Sequence, residues 1–288
     1  ACPGQAVVRV NKPTPATGIV KPPTVLANVG SSYTPLQNRT IATILEGIME
    51  DYPEVRWIHA GALRGGRDIL FVAKMDGMSF RMENDQEDIT DAFLIVWSNH
   101  TGRRAMHCFI TSQRLHCTNQ LRTMNPQRVA ALRITHSGDP ERKSRDFGEA
   151  LRQETARFKR FAAWQQELAK IPATADDLKQ VGEILFKAKR ERAAWEDLRQ
   201  QRLAMVQNNF RNERGDSLFH LLQAATEWVN HSAVYKAQDG WPEADQRAVS
   251  LLSSTGAGLQ WKVAQGIDAL AMQRGSRTSL TAAQEWEA

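Results

Sequence analysis

The run ITDAFLIVWSNHTGRRAMHCFITSQRL, residues 89–115, decides the fold that this sequence predicts. Two stretches rich in β-branched, aromatic and other apolar residues flank a polar tip, SNHTGR, at residues 98–103. That composition favours strands, and a glycine-containing polar tip between two such stretches is typical of a β-hairpin. The run therefore predicts two long antiparallel strands that turn at residues 98–103.

The residues before this hairpin continue the pattern. WIHAGAL at 57–63, DILFVAKM at 68–75 and MSFRM at 78–82 are strand-like, and turns at 64–67 (RGGR) and 76–77 (DG) separate them. Short turns of this kind join successive antiparallel strands. We therefore expect an antiparallel sheet of about five strands.

Helical patterns lie on both sides of the sheet. Between residues 39 and 51, apolar residues recur at the spacing of one helical face, and Asn38 is placed to cap the start. Thr174 and Asp177 are spaced as a capping box, and Pro242 is placed to open a short helix. Beyond residue 140 the pattern predicts longer helices at 144–170, 174–206, 216–232 and 257–273.

The chain divides into four predicted segments. They are a Pro-rich extended arm at 1–28, a sheet-plus-helix core at 29–140, a helical part at 141–274 and a loose tail at 275–288. The predicted fold class is α+β: an antiparallel sheet whose hairpins pack on a helix, followed by a helical C-terminal half.

Composition bounds the partners and the compartment. A formal net charge of +5 and a pI near 9.2 suit a nucleic-acid partner. The three cysteines, Cys2, Cys108 and Cys117, form no C-x-x-C pair, which fits a reducing cytoplasm. The most apolar stretch is too short to cross a bilayer, and no secretory signal pattern is present, so we expect a cytoplasmic protein without a membrane partner.

Histidine and cysteine residues cluster in the middle of the chain, at His100, His107, Cys108, His116, Cys117 and His136. Neighbours in a strand point to opposite faces, so this spacing is no zinc signature, and we expect neither a metal nor another cofactor. Cys117, with His100 or His136 as the base and Asn119 to orient it, nevertheless has the groups of a thiol enzyme. We expect no catalytic residues, but a metal- or thiol-dependent enzyme centred on His100, Cys117 and His136 stays open as an alternative.

The basic residues form a more consistent pattern than the histidine and cysteine residues. Arg64 and Arg67 flank one predicted hairpin tip, and Arg103 and Arg104 close the other. Three more basic residues lie along the strands: Lys74, Arg81 and Arg114. Clustered arginines bind phosphates through paired hydrogen bonds, so we interpret all of these residues as nucleic-acid-binding. A solvated sheet edge that charge protects against aggregation explains them equally well.

Six separated stretches come in the order seen in one known family: YTPLQN at 33–38, AGALRGGRDI at 60–69, SNHTGR at 98–103, RLHCTNQL at 114–121, THSG at 135–138 and ATEWVNH at 225–231. Over roughly residues 28 to 272 the chain resembles the phage/plasmid-like protein family, a domain of unknown function common in bacteriophages and conjugative plasmids. The resemblance marks a set of motif residues without assigning them roles: Tyr33, Gln37, Asn38, His100, Cys117, Asn119, His136, Thr226, Glu227 and His231. Where the family has H-D-G-S, this chain has Thr101 in place of the acid and Arg103 in place of the serine, which counts against a hydrolase.

The layout of these elements is also similar to that of single-strand annealing proteins. That likeness implies a curved sheet packed on a helix, a ring or filament of identical subunits, and a basic groove for single-stranded DNA. The function we expect is therefore non-catalytic binding and annealing of single-stranded DNA, in the recombination or replication of a phage or mobile element inside the host. Besides the enzyme, a second alternative is a phage protein that binds a host protein through the 174–206 helix.

Overall fold

The computed structural model describes residues 4–11, 18, 20–83, 85–114, 120–122, 132–137, 147–187, 193–233, 240–252 and 255–280. In this part of the chain an open antiparallel sheet and a set of α-helices share one main hydrophobic core. The α+β class that the sequence predicts is therefore confirmed.

The sheet contains seven strands rather than about five: β3 Val55–Leu63, β4 Asp68–Met75, β5 Phe80–Met82, β6 Asp85–Asn99, β7 Met106–Arg114, β8 Gln120–Arg122 and β9 Leu132–Ile134. Their order is β3-β4-β6-β7-β8, with β5 paired to β6 and β9 paired to β7. The predicted strands correspond to β3 through β7. The additional strands β8 and β9, which have three residues each, were not predicted from the sequence.

The alternation of side chains along β6 separates two apolar layers. Leu94 and Val96 face the main core, whereas Ile95 packs with Phe109 of β7 in a smaller cluster on the other face. Successive residues of a strand point to opposite faces, and both faces are covered here. This is why the β6 sequence is almost continuously apolar between Ala92 and Trp97.

Helix α1, Asn38–Asp51, lies where the sequence predicts a helix, but its start differs. The N-cap is Gln37, which makes no side-chain capping bond, so the prediction that Asn38 caps the helix is wrong. The Oδ1 atom of Asn38 instead accepts a hydrogen bond from Nε2 of His100 at 2.7 Å. Ile41, Leu45 and Ile48 bury the apolar face of the helix in the main core.

The helical half comprises α2 Phe147–Leu168, α3 Ala175–Phe186, α4 Ala193–Arg211, α5 Leu218–Glu227 with a π-helical turn at Trp228–Ser232, α6 Glu243–Leu252 and α7 Thr255–Gln273. The predicted capping box before α3 is confirmed, because Thr174 Oγ1 accepts from the Asp177 N–H group and Asp177 Oδ2 accepts from the Thr174 N–H group. The single helix predicted at 174–206 is wrong. Lys187 has a non-helical backbone after α3, and the break lets α3 pack on α7 while α4 packs on α5.

The predicted arm and tail are more ordered than their composition suggests. In the arm, β1 Gln5–Arg9 pairs antiparallel with β2 Thr24–Val29. At the start of the tail, Leu280 is buried and its N–H group donates to Asp268 Oδ1 at 2.9 Å, while residues 281–288 of the predicted tail lie outside the described residues. Among the described helices, none is long and apolar enough to span a membrane.

Candidate nucleic-acid interface

The two arginine-bearing hairpin tips lie side by side at one end of the sheet. The register of β4 against β6 pairs Asp68 with Asn99, the residues from which the two tips project. The His100 N–H group donates to the Arg67 carbonyl oxygen at 2.8 Å and joins the backbones of the two tips. The two tips that carry these arginines are therefore neighbours at the same end of the sheet.

The β3–β4 tip is held in an unusual backbone conformation. Arg64, Gly65 and Gly66 all have positive φ angles, of 49°, 65° and 93°, and Arg64 is the non-glycine residue with this feature among those described. Two long-range bonds hold the tip: Asp245 Oδ2 accepts from the Arg64 N–H group at 2.6 Å, and Arg9 donates to the Gly65 carbonyl oxygen at 2.6 Å. A side chain at Gly65 would collide with the Trp241 ring.

A buried carboxylate stands at the base of both tips. Asp68 is fully buried and accepts hydrogen bonds from Trp97 Nε1 at 3.0 Å, from Asn99 Nδ2 at 2.7 Å and from Arg64 Nε at 2.6 Å. A buried charge requires a partner and full hydrogen bonding. The Arg64 guanidinium supplies that partner, so its charge is already neutralised within the protein.

Of the four tip arginines, three have guanidinium groups outside the carboxylate pairs found among the described residues. Arg103 is exposed, and the Arg104 guanidinium lies 5.2 Å from the centre of the Trp97 ring. Arg67 donates to the Leu26 carbonyl oxygen at 3.0 Å, and its guanidinium lies 4.9 Å from the centre of the Trp241 ring. Burial lowers the pKa of Arg104, with Asp68 and Arg64 acting in opposite directions, but an arginine stays charged at neutral pH. We call Arg67, Arg103 and Arg104 with Trp97 and Trp241 the tip surface.

The remaining predicted basic residues lie away from this surface. Lys74 pairs with Asp91 at 2.6 Å along the sheet. Arg114 is 3% exposed, forms paired hydrogen bonds with Asp88 and also contacts Glu213. Arg81, on the short strand β5, is exposed near the opposite end of β6. Arg114 and Lys74 therefore have carboxylate partners within the protein, whereas Arg67, Arg103 and Arg104 lie at the tips outside such pairs.

Four of the family-motif residues meet beside the tips. The Tyr33 and His136 rings stack with their centres 5.1 Å apart, and the His100 ring lies 6.4 Å from that of His136. His136 Nδ1 accepts from the Leu36 N–H group at 3.4 Å, and its carbonyl oxygen accepts from the Thr34 N–H group. His100 and His136, which the enzyme alternative names, therefore lie close together, whereas Cys117 and Asn119 lie outside the described residues.

Burial controls the protonation of this group. It lowers the pKa of His136 to about 4, with the neighbouring His100 acting in the same direction. Burial likewise lowers the pKa of His100, against the charge of Asp68, and raises the pKa of Tyr33 to about 12. All three rings are consequently neutral near pH 7. Within the described part of the chain, no group of three or more His, Cys, Asp or Glu residues is arranged to hold a metal ion.

The chain was compared with family models, curated proteins and solved structures. The family model described as "Domain of unknown function (DUF932)" matches residues 25–254. The chain belongs to this family. No curated protein and no solved structure matches the chain.

The family assignment confirms what the ordered motifs predict, and the motif residues fall into two places. Tyr33, Asn38, His100 and His136 gather beside the tips, with Gln37 exposed next to them. The last motif lies elsewhere, where α5 runs into the π-helical turn: Thr226 is fully buried and donates to the Leu222 carbonyl oxygen. Glu227 and His231 lie on the same segment, and His231 is exposed. This second group therefore lies in the helical half and not at the tips.

Four contributors to the site were not predicted from the sequence: Asp68, Arg9, Trp241 and Asp245. Asp68 follows the RGGR turn directly, and its place opposite Asn99 follows from the strand register, so a register argument would have found it. Arg9 and Trp241 come from segments far apart in the chain and reach the tip through tertiary packing. For those two residues, the local sequence contains no signal.

Proposed function

We propose that this protein binds single-stranded DNA non-catalytically across the tip surface, as an annealing protein. The proposed setting is recombination or replication of a phage or mobile element in the host cytoplasm. The observation that carries the proposal is the register that places two arginine-bearing tips next to each other, with two guanidinium groups over tryptophan rings.

The chemistry of the tip surface fits a single strand. Arginines bind phosphates regardless of the attached base, and their planar groups also stack on bases. A guanidinium over a tryptophan ring is held in place on one side and keeps its opposite side for a ligand. Arg103 adds an exposed charge to Arg104, and Arg67 is on the adjoining tip. Bases of a single strand are unpaired, so both the phosphates and the base faces are available to these groups.

The first experiment separates phosphate binding from general charge. Arg103→Ala with Arg104→Ala removes two tip charges, and Lys159→Ala with Arg160→Ala removes two exposed charges on α2. Each phosphate contact on a single strand contributes about 0.7 to the slope of log affinity against log salt, so the tip variant should lose about 1.4. Fluorescence anisotropy with oligo-deoxythymidine over a salt series measures both quantities. The α2 variant should keep the parent slope.

The same experiment can contradict the proposal. A tip variant with the parent's affinity and slope would exclude phosphate binding at this surface. The alternatives, an enzyme that uses His100, His136 and Cys117 or a protein that binds a host partner, would then take precedence.

We also propose that the protein forms a homo-oligomer through strand β3. This strand lies at one edge of the sheet, and no described strand pairs with its outer side. Between His59 and Leu63 it carries neither lysine nor proline, the residues that usually protect an edge. Ile58, in the bulge that precedes this segment, is 49% exposed. An unprotected edge of this kind accepts a strand from a second copy of the chain.

A further inference from the structure

A cleft opens beside the tip surface, between the β1–β2 arm and the end of the sheet. Its volume is about 660 Å³, and most of its lining residues have apolar side chains. The apolar lining includes Val7, Leu26, Pro35 and Ile69. Small-molecule sites usually occupy roughly 300–1,000 Å³ and combine apolar walls with a few polar groups, so this cleft has the size and lining of a ligand site.

Three family-motif residues supply polar groups to the cleft: Gln37, Asn38 and His100. Asn38 Oδ1 accepts a hydrogen bond from His100 Nε2–H, and this bond fixes the orientation of the Asn38 side-chain NH₂ group. No hydrogen bond engages the Gln37 side chain among the described residues. The two side-chain amides, adjacent in sequence at the start of α1, therefore offer donors and an acceptor together.

Charge narrows the class of ligand. Among the described residues that line the cleft there is no carboxylate, and the charged one is Arg9, whose guanidinium donates to the Gly65 carbonyl oxygen. His100 is neutral at physiological pH because burial lowers its pKa. A cationic ligand would have no counter-charge here. A flat, neutral ring with both donors and acceptors on its edge matches apolar walls and paired amides, and that is the chemistry of a nucleobase.

The cleft and the tip surface are continuous. Gly66 and His100 line the cleft, and each is next to a tip residue: Gly66 precedes Arg67, and the His100 N–H group donates to the Arg67 carbonyl oxygen. We propose that the cleft takes one base of the bound single strand, turned out of the stack, with its hydrogen-bonding edge on Gln37 and Asn38. This inference rests on the proposed function, because the arginines hold the strand whose base enters.

The test compares two chains that share a phosphate backbone. One is oligo-deoxythymidine, and the other is the same length of abasic phosphodiester, which offers phosphates without bases. Gln37→Ala with Asn38→Ala should weaken binding of the base-bearing chain roughly tenfold, within the range expected for one bound base. Binding of the abasic chain and its salt slope should stay unchanged. The matched control is Gln201→Ala with Asn208→Ala, two exposed amides on α4, and it should change neither affinity.

A second variant guards against a simple folding defect. Ala62 is exposed and lines the cleft, so Ala62→Phe fills the space and keeps both amides. It should cause the same selective loss for the base-bearing chain. If both variants bind the two chains as the parent does, the base site is excluded while phosphate binding stands. If the parent itself binds neither chain, the proposed function fails first.

Discussion

Arginine residues that look alike in the sequence have different roles because burial differs. Arg103 is exposed at a tip, whereas Arg114 is 3% exposed and bonded to Asp88 and Glu213. Its guanidinium also lies 5.2 Å from the centre of the Phe219 ring. Burial alone would lower the pKa of Arg114, but the hydrogen bonds and charges of the two carboxylates raise it above the usual value. Arg114 joins strand β7 to the residues that follow α4.

Removing Arg114 should therefore damage stability rather than DNA binding. Arg114→Met leaves Asp88 and Glu213 buried without their cation, and loss of one partner of a buried pair costs about 3–5 kcal/mol. Arg103→Met, at an exposed position, should change the free energy of unfolding by about 0.5 kcal/mol or less. Urea denaturation measures both. If the Arg114→Met protein is as stable as the parent but its DNA affinity depends less steeply on salt, Arg114 contacts nucleic acid and does not stabilise the fold.

At the scale of elements, the sequence predicts those with a strong local period. The long strands β3, β4, β6 and β7 and helix α1 have apolar runs or helical patterns over many residues, and each lies where the sequence predicts it. The sequence patterns do not predict helix ends that depend on tertiary contacts. Residues 174–206 have helical composition throughout, yet the chain leaves the helix at Lys187. Packing of α3 on α7 and of α4 on α5 requires that break.

The exposed edge of strand β3 can be tested by substitution. Ile58→Lys with Ala60→Lys places charges on its exposed edge, where unpaired backbone groups would otherwise accept a second chain. We expect the mass from light scattering to fall from that of an oligomer to that of one chain, with circular dichroism unchanged. Lys substitutions at Met205 and Met272, both exposed on helices, are the control. If the double variant keeps the parent's oligomeric mass, the subunits do not contact each other through β3.

At the scale of the whole molecule, the site joins segments that the sequence keeps apart. The four tip arginines could be predicted as neighbours because hairpins of adjacent strands end together. Their environment could not, since Asp245, Arg9 and Trp241 approach from the helical half and the arm. The ordered motifs identified the family, but the meeting of Tyr33 with His136 depends on the whole fold.

The central claim is that a single strand lies across the tips, and photochemical cross-linking tests it most directly. An oligo-deoxythymidine carrying 5-iododeoxyuridine reacts with nearby aromatic side chains, and mass spectrometry identifies the attached peptides. Partly exposed aromatic rings surround the tips at Tyr33, His107 and Trp241, while Tyr52 and Trp195 are partly exposed elsewhere. We predict attachment at the first three, and its loss in the Arg103→Ala, Arg104→Ala protein. Attachment concentrated at Tyr52 or Trp195, or unchanged by the double substitution, would contradict the account.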